Sequence, residues 1–262
     1  MAQEISGARI VVTAGCSGIG QAIAAAYAKA GARIAVCDVD PALIAASPHL
    51  ALACDVSDET QVSAFFAEVT QAFGGVDVLV NNAGIAGPTL PAEDVSLQDW
   101  NRTLAVNLTG QFMCARAVIP GMKAQKSGAI INLCSTAGRM GMPLRVAYSA
   151  SKYAVRGLTD VLAIELGEYG IRVNAILPGM VAGPRLDRVV GEQAKARGMT
   201  AEEYLPRMLH NISMHSTVTA EDVAEMAVFL GSPAARFVSG QAIGVCANFE
   251  SYRAPLAVVS DV

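Results

Sequence analysis

Short runs of β-branched and aliphatic residues alternate along the chain with longer stretches rich in alanine and leucine. ARIVVTA, RIAVCD, HLALACD, VDVLVNNAG, GAIINLCS and IRVNAILPG are each long enough for one strand and apolar through most of their length, and IGVCA near residue 245 adds a seventh. Strands without polar alternation are covered on both faces, which points to a parallel sheet. Between them, GIGQAIAAAYAKAG predicts a helix that stops at Gly31. SDETQVSAFFAEVTQAFG predicts another, opening on Ser57 in the N-cap position with acids in the first turn to suit the helix dipole. YSASKYAVRGLTDVLAIELGEYG predicts a long helix between the fifth and sixth strands. The alternation predicts an α/β fold: a doubly wound parallel sheet of about seven strands with helices on both faces. No proline-rich linker, charge run or internal repeat divides residues 1–262, which read as a single domain.

The stretch from Met180 to His215 fits this alternation least. It holds Pro184 and Pro206, Gly183, Gly191 and Gly198, and mixed polar helix. An insertion after the sixth strand lies at the carboxyl edge of the sheet, where open α/β folds bind ligands. A substrate lid over about 180–215 is the expectation.

Composition narrows the class. With 53% hydrophobic and 16% charged residues the chain is a folded one, and a net charge of −4 offers no basic field for nucleic acid or anionic lipid. The amino terminus has no apolar run like that of a signal peptide, and no stretch is long enough to span a membrane, so a soluble, cytoplasmic protein is expected. Six scattered cysteines without a C-x-x-C pair suggest reduced thiols, and three histidines without ligand spacing give no metal site.

The chemistry begins at TAGCSGIG, residues 13–20, between the first strand and first helix. Gly15, Gly18 and Gly20, with Ser17 and Ile19 between them, would let the backbone approach a pyrophosphate whose charge the helix amino terminus stabilises. Asp38 ends the second strand. A carboxylate there accepts from an adenosine ribose diol and repels a 2′-phosphate, and the places for phosphate-binding Arg or Lys hold Cys16, Ser17 and Val39, which favours NAD over NADP. Tyr148 and Lys152 stand four apart on one helix face, so the ammonium can draw the phenol from its ordinary pKa of about 10 toward the range of a general base.

TAGCSGIG, CDV at 54–56, NNAG at 81–84, VNLTG around Asn107, Ser135, YSASK at 148–152 and the PG of 178 and 179 occur in an order that resembles the short-chain dehydrogenase/reductase family over nearly the whole chain. The resemblance implies a Rossmann-type fold and an NAD-dependent alcohol dehydrogenase, commonly a homotetramer. Asp55 and Val56 would then contact adenine, and Asn81, Ala83 and Gly84 would line the adenosine side. Pro178, Gly179 and a backbone amide near Val181 would meet the nicotinamide, where the family's threonine is replaced by Gly183. Ser135 would hold the substrate oxygen, Tyr148 would take the alcohol proton, Lys152 would also grip the nicotinamide ribose, and Asn107 would anchor a proton-relay water. The family pattern has glycine where this chain has Ala14, and Gly15 is expected to supply the turn.

Four arginines border the expected site: Arg139 and Arg145 before the catalytic helix, and Arg185 and Arg188 at the start of the lid. Forked guanidinium donors suit a carboxylate or sulfonate, so Arg145, Arg185 and Arg188 are candidate substrate ligands, with surface ion pairs as the alternative. The long helix is apolar on more than one face (Val155, Leu158, Val161, Leu162, Ile164, Leu166), and Phe249, Tyr252 and Leu256 make an apolar tail. Both features suit a homo-oligomer. An NADPH-dependent carbonyl or 3-oxoacyl reductase, and an NAD-sensing protein without chemistry, remain as other readings; Asp38 speaks against the first and the intact Ser135, Tyr148 and Lys152 against the second.

Overall fold

The computed structural model describes residues 5–249. Seven parallel strands form one sheet in the order β3-β2-β1-β4-β5-β6-β7: β1 (Arg9–Thr13), β2 (Arg33–Asp38), β3 (Leu50–Ala53), β4 (Val78–Asn81), β5 (Gly128–Leu133), β6 (Ile171–Pro178) and β7 (Ala242–Val245). From β1 the chain winds outward through β2 to β3, then crosses back to place β4 on the other side of β1. The carboxyl ends of β1 and β4 therefore face a crevice where the winding reverses, the usual ligand position in this architecture.

Each expected strand is present, and each is buried on both faces where it is central: Ile10, Val11, Val12, Leu79, Val80, Ile130 and Ile131 are fully enclosed. On one face pack α1 (Gly18–Lys29) and α9 (Ala220–Gly231) through Ile23, Ala24, Tyr27, Val223, Ala227 and Leu230. Small alanines let these two helices approach closely, and the Tyr27 hydroxyl donates to the Ala227 carbonyl at 2.6 Å. On the other face lie α3 (Glu59–Phe73), α5 (Gly110–Gln125) and α6 (Val146–Leu166), which contribute Phe65, Phe66, Met113, Val118, Leu162 and Leu166 to a second core. Among the described residues no helix is long and apolar enough to cross a membrane, and no cluster of potential metal ligands occurs.

Several local expectations change. The cap of α3 is Asp58, whose carboxylate accepts from the Thr60 and Gln61 amides at 2.8 and 3.1 Å; the Ser57 hydroxyl instead donates to Asp55 at 2.6 Å. A carboxylate at the amino end gains from the helix dipole as well as from the amides, so it outcompetes the hydroxyl one position earlier. Between β4 and β5, α4 (Leu97–Leu104) runs through a π-helical turn, Ala105–Thr109, into α5. A short α2 (Pro41–Ala45) follows Asp38. The 180–215 insertion is a pair of helices, α7 (Pro184–Lys195) and α8 (Ala201–His210). It is rooted where Val181 bridges Val218, and the Ala182 amide donates to the Val218 carbonyl at 2.9 Å.

Candidate active site

The loop after β1 brings its backbone to the crevice. Ser17 is extended and caps α1 without using its side chain, so the first-turn amides of Gly18, Ile19 and Gly20 remain available as donors to an anion. A Cβ on Gly20 would come within 2.2 Å of the Ala14 carbonyl oxygen, which excludes every other residue there. The left-handed residues of the turn are Ala14 (φ 48°) and Gly18 (φ 52°), not Gly15. Gly15 is required for a different reason: a Cβ would meet Val36 at 2.6 Å. An L-residue in this conformation costs roughly 1–2 kcal/mol. Asn82 holds the turn in place, donating through Nδ2 to the Thr13 and Ala14 carbonyls at 3.0 Å, while Thr13 Oγ1 accepts from the Asn82 and Ala83 amides. Asn81, Ala83 and Gly84 are the expected residues of this motif; Asn82, not among them, is the one whose side chain braces the loop after β1.

Asp38 stands at the end of β2, 8% exposed, with one oxygen accepting from the Val39 and Asp40 amides at 2.8 and 3.3 Å. Its carboxylate is thereby oriented while the other oxygen has none of these backbone partners. It is also close enough to Cys16, beneath the loop, to help burial push that thiol's pKa up. Asp55 and Val56 lie just beyond β3, Asp55 bonded to Ser57 and paired with Arg102 at 3.3 Å, and Val56 buried. Asn81 is wholly buried: its amide donates to the Gln111 carbonyl and to Asn132 Oδ1 at 3.1 and 3.0 Å. Pro178 and Gly179 close β6, with the Gly179 amide bound to the Val245 carbonyl at 2.9 Å.

Ser135, Tyr148 and Lys152 come together where β5 ends and α6 begins. Ser135 leads a turn of 3-10 helix, Thr136–Gly138, its Oγ accepting from the Ala137 amide at 3.1 Å and its hydroxyl close enough to act on the Tyr148 phenol. One turn along α6, the buried Lys152 ammonium donates to the Leu133 carbonyl at 2.7 Å and lies 5.8 Å from the Tyr148 ring centre. A Cβ on Gly84 would stand 3.6 Å from that ammonium, so the glycine of NNAG borders the same space. Burial alone would raise the Tyr148 pKa. Lys152, Arg185, the Ser135 hydroxyl and Arg145 together outweigh it and hold the phenol below its ordinary value. Burial lowers the Lys152 pKa, opposed by Tyr148 and Cys134 and aided by Arg185.

Asn107 sits in the π-helical turn, its Oδ1 accepting from the Ile85 amide at 2.7 Å and its Nδ2 donating to the Ile85 carbonyl and Ser151 Oγ at 3.0 and 3.1 Å. The side chain thus ties the loop after NNAG to the catalytic helix. Of the four arginines, Arg145 is buried at the start of α6, and exposed Arg185 reaches across from α7 to the Gly84 carbonyl at 3.1 Å. Arg188 pairs with Glu192 within α7 at 3.8 Å, and Arg139 donates to the Ala242 carbonyl at 2.6 Å, so neither points its charge solely at the phenol. Thr89 Oγ1 donates to Glu192 at 2.9 Å and fastens the helix pair to the loop after β4.

These features match known proteins over almost the full chain. A family model described as enoyl-(acyl carrier protein) reductase, of the short-chain type, matches residues 13–247. The chain is 38% identical over 253 residues to a 2,5-dichloro-2,5-cyclohexadiene-1,4-diol dehydrogenase of Sphingobium indicum, covering 94% of this chain and 98% of that one. It is 40% identical over 248 residues to a D-threitol dehydrogenase of Mycolicibacterium smegmatis, covering 90% of each. Among solved structures, an NAD+-bound xylitol dehydrogenase superposes with a TM-score of 0.88 at 30% identity, over 92% of this chain and 98% of that one. An actinorhodin polyketide ketoreductase with NADPH gives 0.89 at 33% identity, over 96% and 100%.

Proposed function

The chain belongs to the short-chain dehydrogenase/reductase family and is an oxidoreductase acting on alcohols, and from that premise we propose that it moves a hydride between NAD and a secondary alcohol or its ketone. The observation that carries the reading is the junction of Ser135, Tyr148 and Lys152 at one crevice with Asp38 and the uncapped end of α1. These residues fit a nicotinamide dinucleotide. The α1 amides offer donors for the pyrophosphate, Asp38 an acceptor for the adenosine ribose, and Lys152 beside Gly84 a donor for the second ribose.

Bound NAD would supply the hydride acceptor. The chain's own groups handle the proton and the oxygen. Tyr148, held below its ordinary pKa, takes the alcohol proton as phenolate, and Ser135 donates to the substrate oxygen as it becomes a carbonyl. Lys152 keeps the phenolate charge favourable from within the same low-dielectric pocket. With the Asn107 side chain engaged by Ile85 and Ser151, a relay water beside Lys152 would be held by the main-chain carbonyl of Asn107, in a π-turn of the kind that recurs at functional sites. The α7–α8 pair serves as the lid.

The purified protein is expected to reduce NAD in the presence of at least one member of a panel of polyols, cyclic diols and hydroxy acids. Absence of NADH formation with every secondary alcohol, alongside full binding of NADH, would leave a coenzyme-binding protein without chemistry.

The working form is a homo-oligomer, for which a tetramer is the family expectation. The apolar positions of α6 divide as the sequence suggests: Val155, Leu162 and Leu166 are buried against the sheet and Leu158 is half-buried. Tyr153, Val161 and Ile164 form an outward face, with Ile164 82% exposed, and Phe112 of α5 is exposed as well. A stripe of this kind on a folded chain suits a partner helix. Phe249 is half-buried, and Tyr252 and Leu256 lie outside the described residues. Light scattering should give a mass that is a multiple of 27.1 kDa; particles of monomer mass at micromolar concentration would dispose of the idea.

A further inference from the structure

Arg145 is the N-terminal neighbour of the catalytic helix and only 4% exposed. One terminal nitrogen donates to the Ala86 carbonyl at 2.9 Å, and the guanidinium carbon lies 4.7 Å from the centre of the Tyr148 ring. Its Nε is buried with no hydrogen-bond partner, and among the described residues no carboxylate forms an ion pair with it. A buried guanidinium with an idle donor is costly unless something else supplies the acceptor. The acid that acts on it, Glu192, is already engaged by Thr89 and Arg188. A second cation, Arg185, comes from α7 and, among the described residues, is held by the Gly84 carbonyl alone. The two guanidinium groups act on the same phenol, and Arg185, with Arg188, disfavours the charge on buried Arg145.

We infer that Arg145 and Arg185 form an anion-binding subsite beside Tyr148, so that the alcohol carries a carboxylate or sulfonate a few atoms from its carbinol carbon. The inference rests on the dehydrogenase reading above and names its substrate class. An oxyanion between the two arginines gives the idle Nε an acceptor, relieves the repulsion between the cations, and sets the carbinol within reach of Ser135 and Tyr148. Arg145 is fixed by Ala86 and the Tyr148 ring. Arg185 is on the first turn of the lid helix and can exchange a backbone carbonyl for the charged ligand, so the anion also draws the lid onto the site. Arg188 acts on Arg145 but is paired with Glu192, and Arg139 donates to the Ala242 carbonyl, so neither is assigned to this subsite.

The test uses three secondary alcohols of one carbon skeleton bearing a methyl, a carboxylate or a sulfonate group. At least one anionic member should exceed the neutral one in kcat/KM by about tenfold or more. Arg145→Met and Arg185→Met should each raise KM for the anion by a similar factor, with KM for the neutral alcohol and NADH affinity not rising alongside it; because both cations also act on the phenol, any fall in kcat should be common to all three alcohols. Should Arg145→Met fail to fold, exposed Arg185→Met still carries the test. Acetate or methanesulfonate should also compete with the neutral alcohol in the unmodified enzyme and lose that effect in Arg185→Met. Oxidation of the neutral alcohol as efficient as that of both anions overturns the subsite while leaving the dehydrogenase intact. So does a loss of kcat in both variants that is the same for all three alcohols with no selective rise in KM for the anions, which would make the arginines modifiers of the phenol alone. If no alcohol of any charge reduces NAD, it is the dehydrogenase reading that fails.

Discussion

Tyr148→Phe should lower kcat by roughly 10²–10⁴-fold, the usual worth of a positioned general base, while NADH still binds. The phenylalanine ring keeps the packing against Arg145 and the helix but has no atom to receive the alcohol proton. The structure adds a pH dependence. Burial raises the phenol's pKa, and Lys152 is the largest of the groups that bring it down. Removing that ammonium in Lys152→Ala should therefore raise the pKa. Alcohol oxidation needs the phenolate, so activity in the variant is lost first at the acid side and the optimum moves to higher pH. Rates measured across pH for both variants, with NADH binding followed by fluorescence, check the assignment. Near-normal turnover in Tyr148→Phe would remove Tyr148 from the reaction.

The coenzyme choice should be equally plain. NAD is expected to exceed NADP in kcat/KM by at least about 10–100-fold, the range that a charge-assisted hydrogen bond and its loss can supply. Both coenzymes occur in structures that resemble this one closely, so the preference depends on side chains and not on the fold. Asp38 is oriented by the Val39 and Asp40 amides. A ribose diol can donate to the carboxylate, whereas a 2′-phosphate would face its negative charge in a pocket where Cys16, Ser17 and Val39 provide no cation. Asp38→Ala should narrow the gap, chiefly by weakening NAD. Equal efficiency with the two coenzymes in the unmodified enzyme would sink this assignment.

Much of the architecture was legible along the chain because strands in a doubly wound sheet are buried on both faces and so are apolar nearly throughout. The seven strands, their parallel arrangement and the i, i+4 relation of Tyr148 to Lys152 depend on local periodicity, which survives in a one-dimensional string. Other features depend on what a residue meets after folding. Ala14 adopts the left-handed turn while Gly15 is required by Val36 of the neighbouring strand, a contact between segments about twenty residues apart. Asn82 looks like one more polar residue in NNAG, and only the pairing of β4 with β1 makes it the brace of the phosphate loop. The four arginines were equivalent as sequence. Folding separates them: Arg188 finds Glu192 one helical turn away, Arg139 finds a carbonyl on β7, and Arg145 is enclosed beside the phenol with a donor unmet. The sequence by itself therefore determined the class of fold, the order of its elements and the candidate reactive groups, since these follow from short-range patterns. Which cations converge on Tyr148 was decided by tertiary structure alone, because burial and partnership are properties of residues brought together from opposite sides of the crevice.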